Sequence, residues 1–537
     1  MSFLNVAAHL PALAQQQPDA LAVVDSRRGS RYTFRQLDDA SSDYARQLQS
    51  IGIDRGVRTV LMAPPSLEFF ALTFALFKLS AVPVLIDPGM GVRNLGKCLA
   101  EAEPEAFIGV PKAHFARRLL AWGRKTIRTT VAVRWPRLGC THSIKRKTNV
   151  ESFPVADGTA DEMAAILFTS GSTGIAKGVV YTHGIFSAQV EAIREAFAIK
   201  PGEIDLATFP LFALFGPALG MTAIIPDMNP TRPARVDPAR IFSAISDFNV
   251  TNLFGSPALL NRLCRAGNGQ VLSSVRRVIS AGAPVSAAVV ERFTRLLPPG
   301  TQVFTPYGAT EALPVAVIGS DEILKDTRYQ TEQGAGVCVG KPVPGVSVKI
   351  IRICDEAIPQ WSEDLELPAG EIGEIAVSGP WVTASYYNRP EATMLAKIAA
   401  PSPTGFCHRM GDVGYFDEAR RLWFCGRKAH RVVLPDATLF TIPCEAIFNT
   451  HPAVFRSALV GIKRESVTVP VMCIEREPGA KITDQRLRTE LLELGAAHAH
   501  TSRIRAILFH RSFPVDIRHN AKIFREKLAV WAERRAR

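Results

Sequence analysis

The chain has 537 residues, of which 47% are hydrophobic and 21% are charged. This balance is typical of a globular chain and excludes a disordered, collagen-like or low-complexity protein. A chain of this length exceeds one ordinary hydrophobic core, so it predicts several lobes or one large composite domain with a smaller one. The 63 Lys and Arg residues outnumber the 50 Asp and Glu residues, and the net charge of +13 makes a polyanionic partner or an anionic surface a question to consider.

The positive charge is concentrated in two places. The segment 107–150 contains eleven Lys and Arg residues and no acidic residue, and the tail 518–537 is also basic. The simplest interpretation is a solvated surface. The alternative is a dock for a membrane surface or an acidic partner protein. No nucleic-acid-binding motif accompanies the charge, so nucleic acid is not expected as a partner.

The cysteines and the apolar runs indicate where the protein is located. Nine cysteines are spread singly with no C-x-x-C pair, which is typical of a reducing compartment. The first twenty residues lack the charged-then-apolar order of a secretory signal. Lys78, Ser80 and Pro83 interrupt the apolar run from Phe69 to Ile86, which predicts a buried helix followed by a strand rather than a membrane span. We therefore expect a cytoplasmic protein.

Apolar runs alternate with amphipathic stretches through the first 340 residues, and this alternation predicts parallel strands with crossover helices. The strand-like runs are Thr59–Met62, Val82–Ile86, Ala164–Thr169, Asp205–Thr208 and Val275–Ser280. After residue 340, Val346–Ile353 and Glu374–Ser378 are β-branched and are separated by Pro/Gly turns, which predicts a smaller antiparallel barrel or sheet. The predicted fold class is α/β, with a large N-terminal body of α/β subdomains and a small β-barrel-like subdomain.

A last unit begins after Gly426. Its predicted strands and helix are Ser457–Ile462, Val471–Glu475, Asp484–His498 (the helix) and Ile504–Phe509. We expect a small, mobile α+β C-terminal lobe of about 110 residues. The predicted domains are therefore 1–426 and 427–537.

The segment from Ile166 to Val179 carries the strongest chemical signal. An apolar strand leads into a polar loop made of Thr169, Ser170, Gly171, Ser172, Thr173 and Gly174, and Lys177 follows. Hydroxyl and backbone N–H groups at this density can surround phosphate oxygens, glycines permit close approach, and the lysine adds a positive charge. The loop is not a Walker motif, because Lys177 is followed by glycine rather than Ser or Thr. A plain linker is the alternative, but a linker seldom follows a buried strand directly and ends in Lys-Gly.

This loop resembles the phosphate loop of the acyl-adenylate-forming enzymes, which include acyl-CoA synthetases, luciferases and peptide-synthetase adenylation domains. Four further segments resemble that family's motifs in the same order, namely Tyr307–Glu311 (adenine and magnesium), Gly411–Gly414 (ribose), Gly426–Arg427 (lobe junction) and Asn520–Arg525 (catalytic lysine). Five motifs over essentially the whole chain identify it as a member. The resemblance implies ATP and Mg²⁺ as cofactors and attack of a carboxylate on the α-phosphorus of ATP.

The same resemblance implies a role for each motif residue. Lys522 brings positive charge to the α-phosphate as the transition state forms, Glu311 is the magnesium ligand, and Thr310 contacts the α-phosphate. Tyr307 stacks on adenine, Asp412 accepts hydrogen bonds from the ribose, and Arg427 reaches the ribose and phosphates. The other predicted ATP-binding residues are Gly282, Ala283, Pro284, Gly308 and Ala309, in addition to the loop and Lys177.

Two positions depart from the pattern of the ligases in this family. Ala429 stands where they carry a hinge Asp or Lys, and Thr438 stands where a glycine admits the pantetheine thiol. A β-branched residue restricts the backbone and partly fills that passage. Both changes weaken the case for coenzyme A as acceptor without removing it.

A third departure concerns the acyl side. Ala213 replaces a gating His or aromatic residue, so the region beside the reacting carboxylate is enlarged. The neighbouring aromatic side chains suit an alkyl chain, although such runs are more often ordinary core. The predicted acyl pocket consists of Phe209, Phe212, Ala213, Phe215 and Gly255.

With Met228–Pro238 and Phe254–Pro257, these departures resemble the branch of the superfamily that makes β-lactones in bacterial long-chain olefin biosynthesis. The resemblance implies a long-chain 2-alkyl-3-hydroxy acid as substrate, a β-lactone as product, and other enzymes of the olefin pathway as partners. Two alternatives stay open: a long-chain acyl-CoA or acyl-carrier-protein ligase, and a catalytically idle scaffold. The presence of Lys177, Glu311 and Lys522 disfavours the scaffold.

Overall fold

The computed structural model describes residues 5–133, 139–147, 151–168, 176–209, 215–267, 269–465, 467–516 and 522–535. Its first nine strands are β1 (Leu21–Asp25), β2 (Ser30–Thr33), β3 (Arg58–Met62), β4 (Val82–Leu85), β5 (Ala106–Gly109), β6 (Thr129–Val133), β7 (His142–Ile144), β8 (Met163–Phe168) and β9 (Gly178–Thr182). The helices among them are α1 (His9–Gln16), α2 (Phe34–Gln49), α3 (Leu67–Lys78), α4 (Val92–Ala102), α5 (Pro111–Leu119) and α6 (His183–Ala196), with 3₁₀ turns at Val6–Ala8 and Pro88–Met90. Seven of these strands form one sheet in the order β7-β6-β5-β3-β4-β8-β9, parallel except for the antiparallel pair β8–β9.

Residues 204–427 build a larger sheet that also takes in β1 and β2. Its strands are β10 (Ile204–Ala207), β11 (Thr222–Ile225), β12 (Asn252–Phe254), β13 (Arg277–Ile279), β14 (Gln302–Ala309), β15 (Ala312–Gly319), β16 (Val337–Pro342), β17 (Ser347–Ile351), β18 (Gly373–Ser378), β19 (Lys397–Ala399), β20 (Phe406–Phe416) and β21 (Leu422–Arg427). Its helices are α7 (Phe215–Ala218), α8 (Pro238–Asp247), α9 (Pro257–Ala266), α10 (Ala287–Thr294), α11 (Ser320–Glu322), α12 (Arg328–Glu332) and α13 (Pro390–Ala396). Irregular helical turns lie at Pro233–Arg235, Ile323–Thr327, Glu363–Leu365 and Lys428–His430.

This larger sheet changes character along its width. In sheet order, the strands β1, β11, β10, β12, β13 and β14 are parallel to one another. The strands that follow, β15, β16, β21, β20, β18 and β17, each pair antiparallel with their neighbours, beginning with the pair β14–β15. Of the antiparallel strands, β17 and β18 correspond to the predicted segments Val346–Ile353 and Glu374–Ser378, whereas the sequence did not predict β14, β15, β16, β20 and β21 as part of this region. The antiparallel strands continue the parallel sheet edge to edge, so the boundary between the two characters lies at β14.

Helices fill the space between the two sheets and cover their outer faces. One core joins α2, α3 and α6 to strands of both sheets. A second core packs α8, α9 and α10 on the far face of the large sheet, and a third packs α4 and the α5 region on the far face of the seven-stranded sheet. The result is a layered α/β body, which confirms the predicted fold class.

Helix α3 lies in the middle of these layers. Eleven of its twelve residues are buried, which explains why nine of the twelve are apolar. Lys78, at its end, is 1% exposed, and its Nζ donates to Asp38 Oδ1 and Ser42 Oγ, both at 2.7 Å. The lysine therefore occurs in an apolar run because α2 supplies its counter-charge.

The last part of the chain has a sheet and cores of its own. Its strands are β22 (Val432–Val433), β23 (Thr438–Leu439), β24 (Val454–Arg464), β25 (Val467–Arg476) and β26 (Ala506–Phe509), and its helices are α14 (Thr441–Asn449), α15 (Asp484–Ala496) and α16 (Arg525–Arg535). The sheet order is β24-β25-β26, with α14 and α15 packed on one face and α16 on the other. The hairpin β24–β25 extends beyond the predicted apolar segments because its backbone ladder continues to the pair Arg464–Val467.

Two further expectations can be compared with the structure. All nine cysteines have free thiols. No helix in the described part of the chain is long and apolar enough to cross a bilayer.

Gly340 lies on β16, between β15 and β21 in the antiparallel region, and we predict that it tolerates no side chain. Its φ is +84°, and a Cβ there would lie 2.0 Å from the carbonyl oxygen of Val317 on β15. Gly370 has a similar φ of +88° but open space around it. Gly370→Ala should cost about 1–2 kcal/mol for the left-handed backbone, and Gly340→Ala about 1–3 kcal/mol more for overpacking. Urea or thermal unfolding of the two variants measures this difference, and equal losses would contradict it.

Candidate active site

A cavity of about 750 Å³ lies where the antiparallel end of the large sheet, the buried helices and the last part of the chain meet. It brings together ten of the predicted site residues, namely Lys177, Phe209, Phe215, Gly282, Gly308, Ala309, Thr310, Glu311, Arg427 and Lys522. Thr169, Ser170, Gly171, Ser172, Thr173, Gly174, Phe212 and Ala213 lie outside the described residues. The residues that flank the polar loop are described: Phe168 on β8 pairs with Gly178 on β9, and Phe168 and Lys177 line the cavity.

Five predicted residues lie next to the cavity wall rather than in it. Ala283 and Pro284 follow the lining residue Gly282. Gly255 lies between the lining residues Phe254 and Ser256, and a side chain there would face Leu259 and Leu260. The other two, Tyr307 and Asp412, stand behind the wall and bind each other.

Asp412 is the centre of a buried charge cluster. It is 3% exposed, and its Oδ2 accepts a hydrogen bond of 2.7 Å from the Tyr307 hydroxyl. Arg427, its register partner on the neighbouring strand β21, places Nη1 3.0 Å from Oδ1. Burial raises the pKa of Asp412 and the guanidinium of Arg427 opposes that rise. Burial and Asp412 also raise the pKa of Tyr307, so the phenol stays protonated and remains the donor.

The hydroxyl and the ring of Tyr307 both have partners within the protein. Its ring lies 5.9 Å from the ring of Phe424, centroid to centroid, while its neighbours Pro306 and Gly308 line the cavity. Stacking on a base stays a prediction for this ring. The observed contact is the hydrogen bond from the Tyr307 hydroxyl to Asp412, which orients the Asp412 carboxylate.

The turn between β14 and β15 carries Thr310 and Glu311, and side chains from distant segments hold it. The Tyr386 hydroxyl donates to Glu311 Oε1 at 2.7 Å, and the Tyr181 hydroxyl donates to the carbonyl oxygen of Thr310 at 2.6 Å. Thr383 donates twice to the carbonyl oxygen of Glu311, from N at 2.9 Å and from Oγ1 at 3.2 Å. The backbone and carboxylate of Glu311 are therefore both oriented before any ligand binds.

Lys177 approaches the same turn from the seven-stranded sheet. Its Nζ lies 4.6 Å from the ring centroid of Tyr386, a cation–π distance. Burial lowers the pKa of Lys177, and the nearby Glu311 carboxylate opposes that change. A positive charge, a carboxylate and an aromatic ring are thus held within one small region.

Lys522 reaches the cavity from the last part of the chain. Its backbone N donates to Asp516 Oδ1 at 2.9 Å, and its carbonyl accepts from the backbone N of Asp516 at 3.0 Å. The adjacent residues Val515 and Ile523 form an antiparallel bridge. This short ladder presents Lys522 to the cavity that also holds Thr310.

The junction between body and last part is held by charges that the sequence did not reveal. Lys428 Nζ lies 3.1 Å from Glu374 Oε2 and donates to the carbonyl oxygen of Cys354 at 2.7 Å. Arg409 pairs with the same Glu374 oxygen at 2.6 Å, and both side chains are almost fully buried. Ala429 comes next and also lines the cavity.

The other end of the cavity is aromatic. Phe186 lies 5.4 Å from Phe77 and 6.3 Å from Phe215, centroid to centroid, and Phe209 lies 6.4 Å from Phe254. The lining residues Val6, Thr73, Phe74 and Phe77 extend this end toward α3. The sequence predicted α3 only as a buried helix and did not indicate that it lines the cavity. The signal that could have indicated this is the polar Thr73 next to Phe74 and Phe77 within about one helical turn.

His183, beside the polar loop in sequence, is fully buried at the start of α6. Burial lowers its pKa. It is not among the lining residues, which agrees with a structural role.

The fold and site belong to a class of enzymes that activate carboxylates with ATP. A family profile described as "AMP-binding enzyme" matches residues 10–387, and the chain belongs to this family. The predicted class, an ATP-dependent adenylate-forming enzyme, is thereby confirmed. Among solved structures, the amide bond synthetase McbA from Marinactinospora thermotolerans has a TM-score of 0.81 at 22% identity over 98% of this chain and 99% of that one. ATP-bound MatB from Rhodopseudomonas palustris has a TM-score of 0.79 at 21% identity over 99% and 100%.

Two curated relatives are much more similar in sequence. The olefin beta-lactone synthetase of Xanthomonas campestris pv. campestris is 51% identical over 98% of this chain and 97% of its own length. That of Stenotrophomonas maltophilia is 50% identical over 98% of both. The resemblance to the β-lactone-forming branch is confirmed at the level of sequence.

We predict that the Tyr386 hydroxyl positions Glu311. Tyr386→Phe deletes a hydrogen bond to a carboxylate, worth about 1.5–3 kcal/mol, while the ring beside Lys177 remains. ATP–pyrophosphate exchange should therefore fall roughly 10- to 100-fold, and added magnesium should restore part of it. Tyr387→Phe, at the next position, is the matched control. Equal effects of the two substitutions would contradict this role.

Proposed function

We propose that the protein converts a long-chain 2-alkyl-3-hydroxy acid into a β-lactone with ATP, through an acyl-adenylate, and releases AMP and pyrophosphate. The observation that carries this proposal is a single cavity with a cationic end and an aromatic end, in a chain about half identical to two β-lactone synthetases over its full length. Lys177, Arg427 and Lys522 supply the cationic end. Phenylalanines such as Phe77, Phe186 and Phe215 supply the aromatic end.

In the first step the substrate carboxylate attacks the α-phosphorus of ATP. A bond forms between a carboxylate oxygen and the phosphorus, the bond to the β-phosphate oxygen breaks, and pyrophosphate leaves. Negative charge builds on the α-phosphate, where Lys522 and Thr310 stabilise it. Arg427, which is paired with the buried Asp412, holds the ribose side of the nucleotide.

Magnesium fits the donor set around Glu311. No group of three or more metal-ligating side chains occurs in the part of the chain that the structure describes. Mg²⁺ is commonly held by one or two carboxylates together with the substrate's phosphates, so Glu311 with ATP is a sufficient set. When bound there, the ion would neutralise phosphate charge.

In the second step the substrate's own hydroxyl replaces an external thiol. Its oxygen attacks the acyl carbonyl carbon, the bond to AMP breaks, and the hydroxyl proton is released. The aromatic wall holds the alkyl chains so that the hydroxyl stays near the carbonyl, and such positioning can contribute about 7–11 kcal/mol. Part of this offsets the strain of the four-membered ring.

Several broader expectations accompany this function. We propose a domain boundary after Gly426, with 427–537 as a mobile lobe, because the body's sheet ends at Arg427 and a separate sheet follows. We also propose a cytoplasmic location, which suits nine free thiols. Enzymes of the same olefin pathway remain proposed partners.

Lys522→Ala should lower the rate of adenylation far more than the affinity for ATP, because its charge acts mainly in the transition state. Loss of one such group costs roughly 10²- to 10³-fold in turnover. ATP–pyrophosphate exchange gives the rate, and calorimetry gives the ATP dissociation constant. Lys527→Ala is the control, because Lys527 is an exposed lysine five residues later, in the first turn of α16. Unchanged turnover would mean that another residue supplies the charge.

The product itself tests the proposed function. With ATP, magnesium and a 2-alkyl-3-hydroxy acid but no coenzyme A, we expect AMP and a compound one water lighter than the acid, detected by mass spectrometry. The matched acid without the hydroxyl should exchange pyrophosphate but give no lactone. AMP release that requires coenzyme A, with a thioester as product, would instead establish the acyl-CoA ligase.

A further inference from the structure

Helix α5 and the turn after it form an exposed apolar and basic surface. Phe115 is 69% exposed, Leu119 is 72% and Leu120 is 41%. Three of the eleven exposed large apolar side chains among the described residues therefore lie within six positions. Phe115 is also the one exposed phenylalanine in the described part of the chain. Such a concentration marks an interaction site rather than scattered surface residues.

The opposite face of α5 is anchored, so this exposure is a settled feature of the fold. Ala113 and His114 are buried, and His114 Nε2 lies 3.0 Å from the carbonyl oxygen of Val131 on β6. The turn is held by Trp122, which is 7% exposed and packs against Gly96 of α4. The apolar side chains consequently cannot turn inward.

Basic side chains surround the apolar ones. Lys112, Phe115 and Leu119 are spaced by three and four residues and share one face of α5. Arg124 and Lys125 are exposed on the turn that follows. The chain carries no acidic residue from 107 to 150, so no acidic neighbour in this segment balances them. We call Lys112, Phe115, Leu119, Leu120, Arg124 and Lys125 the α5 surface.

We propose that the α5 surface docks the protein on an anionic lipid bilayer. Bulky apolar side chains that enter the interface, ringed by Lys and Arg that meet lipid phosphates, are the chemistry of peripheral membrane binding. An acidic protein groove would satisfy the charges but would not require Phe115 and Leu119 at the outermost positions of one helix. The inference rests on the exposed surface alone and stands whatever the substrate is.

Vesicle flotation of the full-length protein tests the proposal. Vesicles of phosphatidylcholine are compared with vesicles that also contain phosphatidylglycerol, at low and at physiological salt. We expect binding to the anionic vesicles that weakens as salt screens the charges. Phe115→Ser with Leu119→Ser should weaken it about tenfold or more. Lys112→Gln with Arg124→Gln and Lys125→Gln should weaken it similarly on anionic vesicles only.

Tyr329→Ser provides the matched control, because Tyr329 is 70% exposed on α12, far from this surface in sequence. It should bind vesicles as the parent does. ATP–pyrophosphate exchange with a short, water-soluble hydroxy acid should be unchanged in every variant, which shows that each is folded.

Three results would overturn the proposal. One is failure to bind either type of vesicle at low salt, and another is equal binding to neutral and anionic vesicles. The third is an equal loss in Tyr329→Ser and in the Phe115/Leu119 pair. Binding of the α5 surface to an acidic protein in place of vesicles would assign it to that other class of partner.

Discussion

The pairing of Asp412 with Arg427 is the interaction on which the geometry of the site depends. A carboxylate that is 3% exposed stays ionised only if a positive charge and a donor accompany it. The strand register puts Arg427 directly opposite Asp412, and Tyr307 reaches across from β14 to supply the donor. Three strands of the antiparallel region are thereby held in one relative position at the edge of the cavity.

The same pair determines where the last part of the chain begins. Arg427 is the final residue of β21, and the preceding Gly426 has a φ of +126° with Thr441 of α14 packed where a Cβ would lie. Lys428 is then tied to the buried Glu374. The body constrains Arg427 and Lys428, and the last part of the chain packs against Gly426, so the chain leaves the body in a defined direction. Lys522 arrives at the cavity by way of its own short ladder with Asp516.

Sequence reasoning predicted the elements and the motif residues well, because both depend on local patterns. Apolar runs located many of the strands, and resemblance to the family's motifs pointed to Glu311, Asp412 and Lys522 as candidates. It could not predict Tyr386 or Glu374, since a hydrogen bond between residues 75 positions apart leaves no local signal. It also could not predict the hydrogen bond from the Tyr307 hydroxyl to Asp412, which lies 105 positions away. A motif identifies the residue type that chemistry needs; the partners that orient it come from the fold.

The layered body also accounts for a site that can serve two chemical steps. Because α3 and α6 lie between the two sheets, the aromatic end of the cavity is made of side chains whose backbones are buried on nearly every side. Such a wall excludes water and does not need to move between steps. On the proposed function, the nucleophile of the second step is already part of the bound substrate, so no passage for a thiol has to open. The tether of Lys428 to the buried Glu374 is then consistent with an enzyme in which the acceptor enters with the acid.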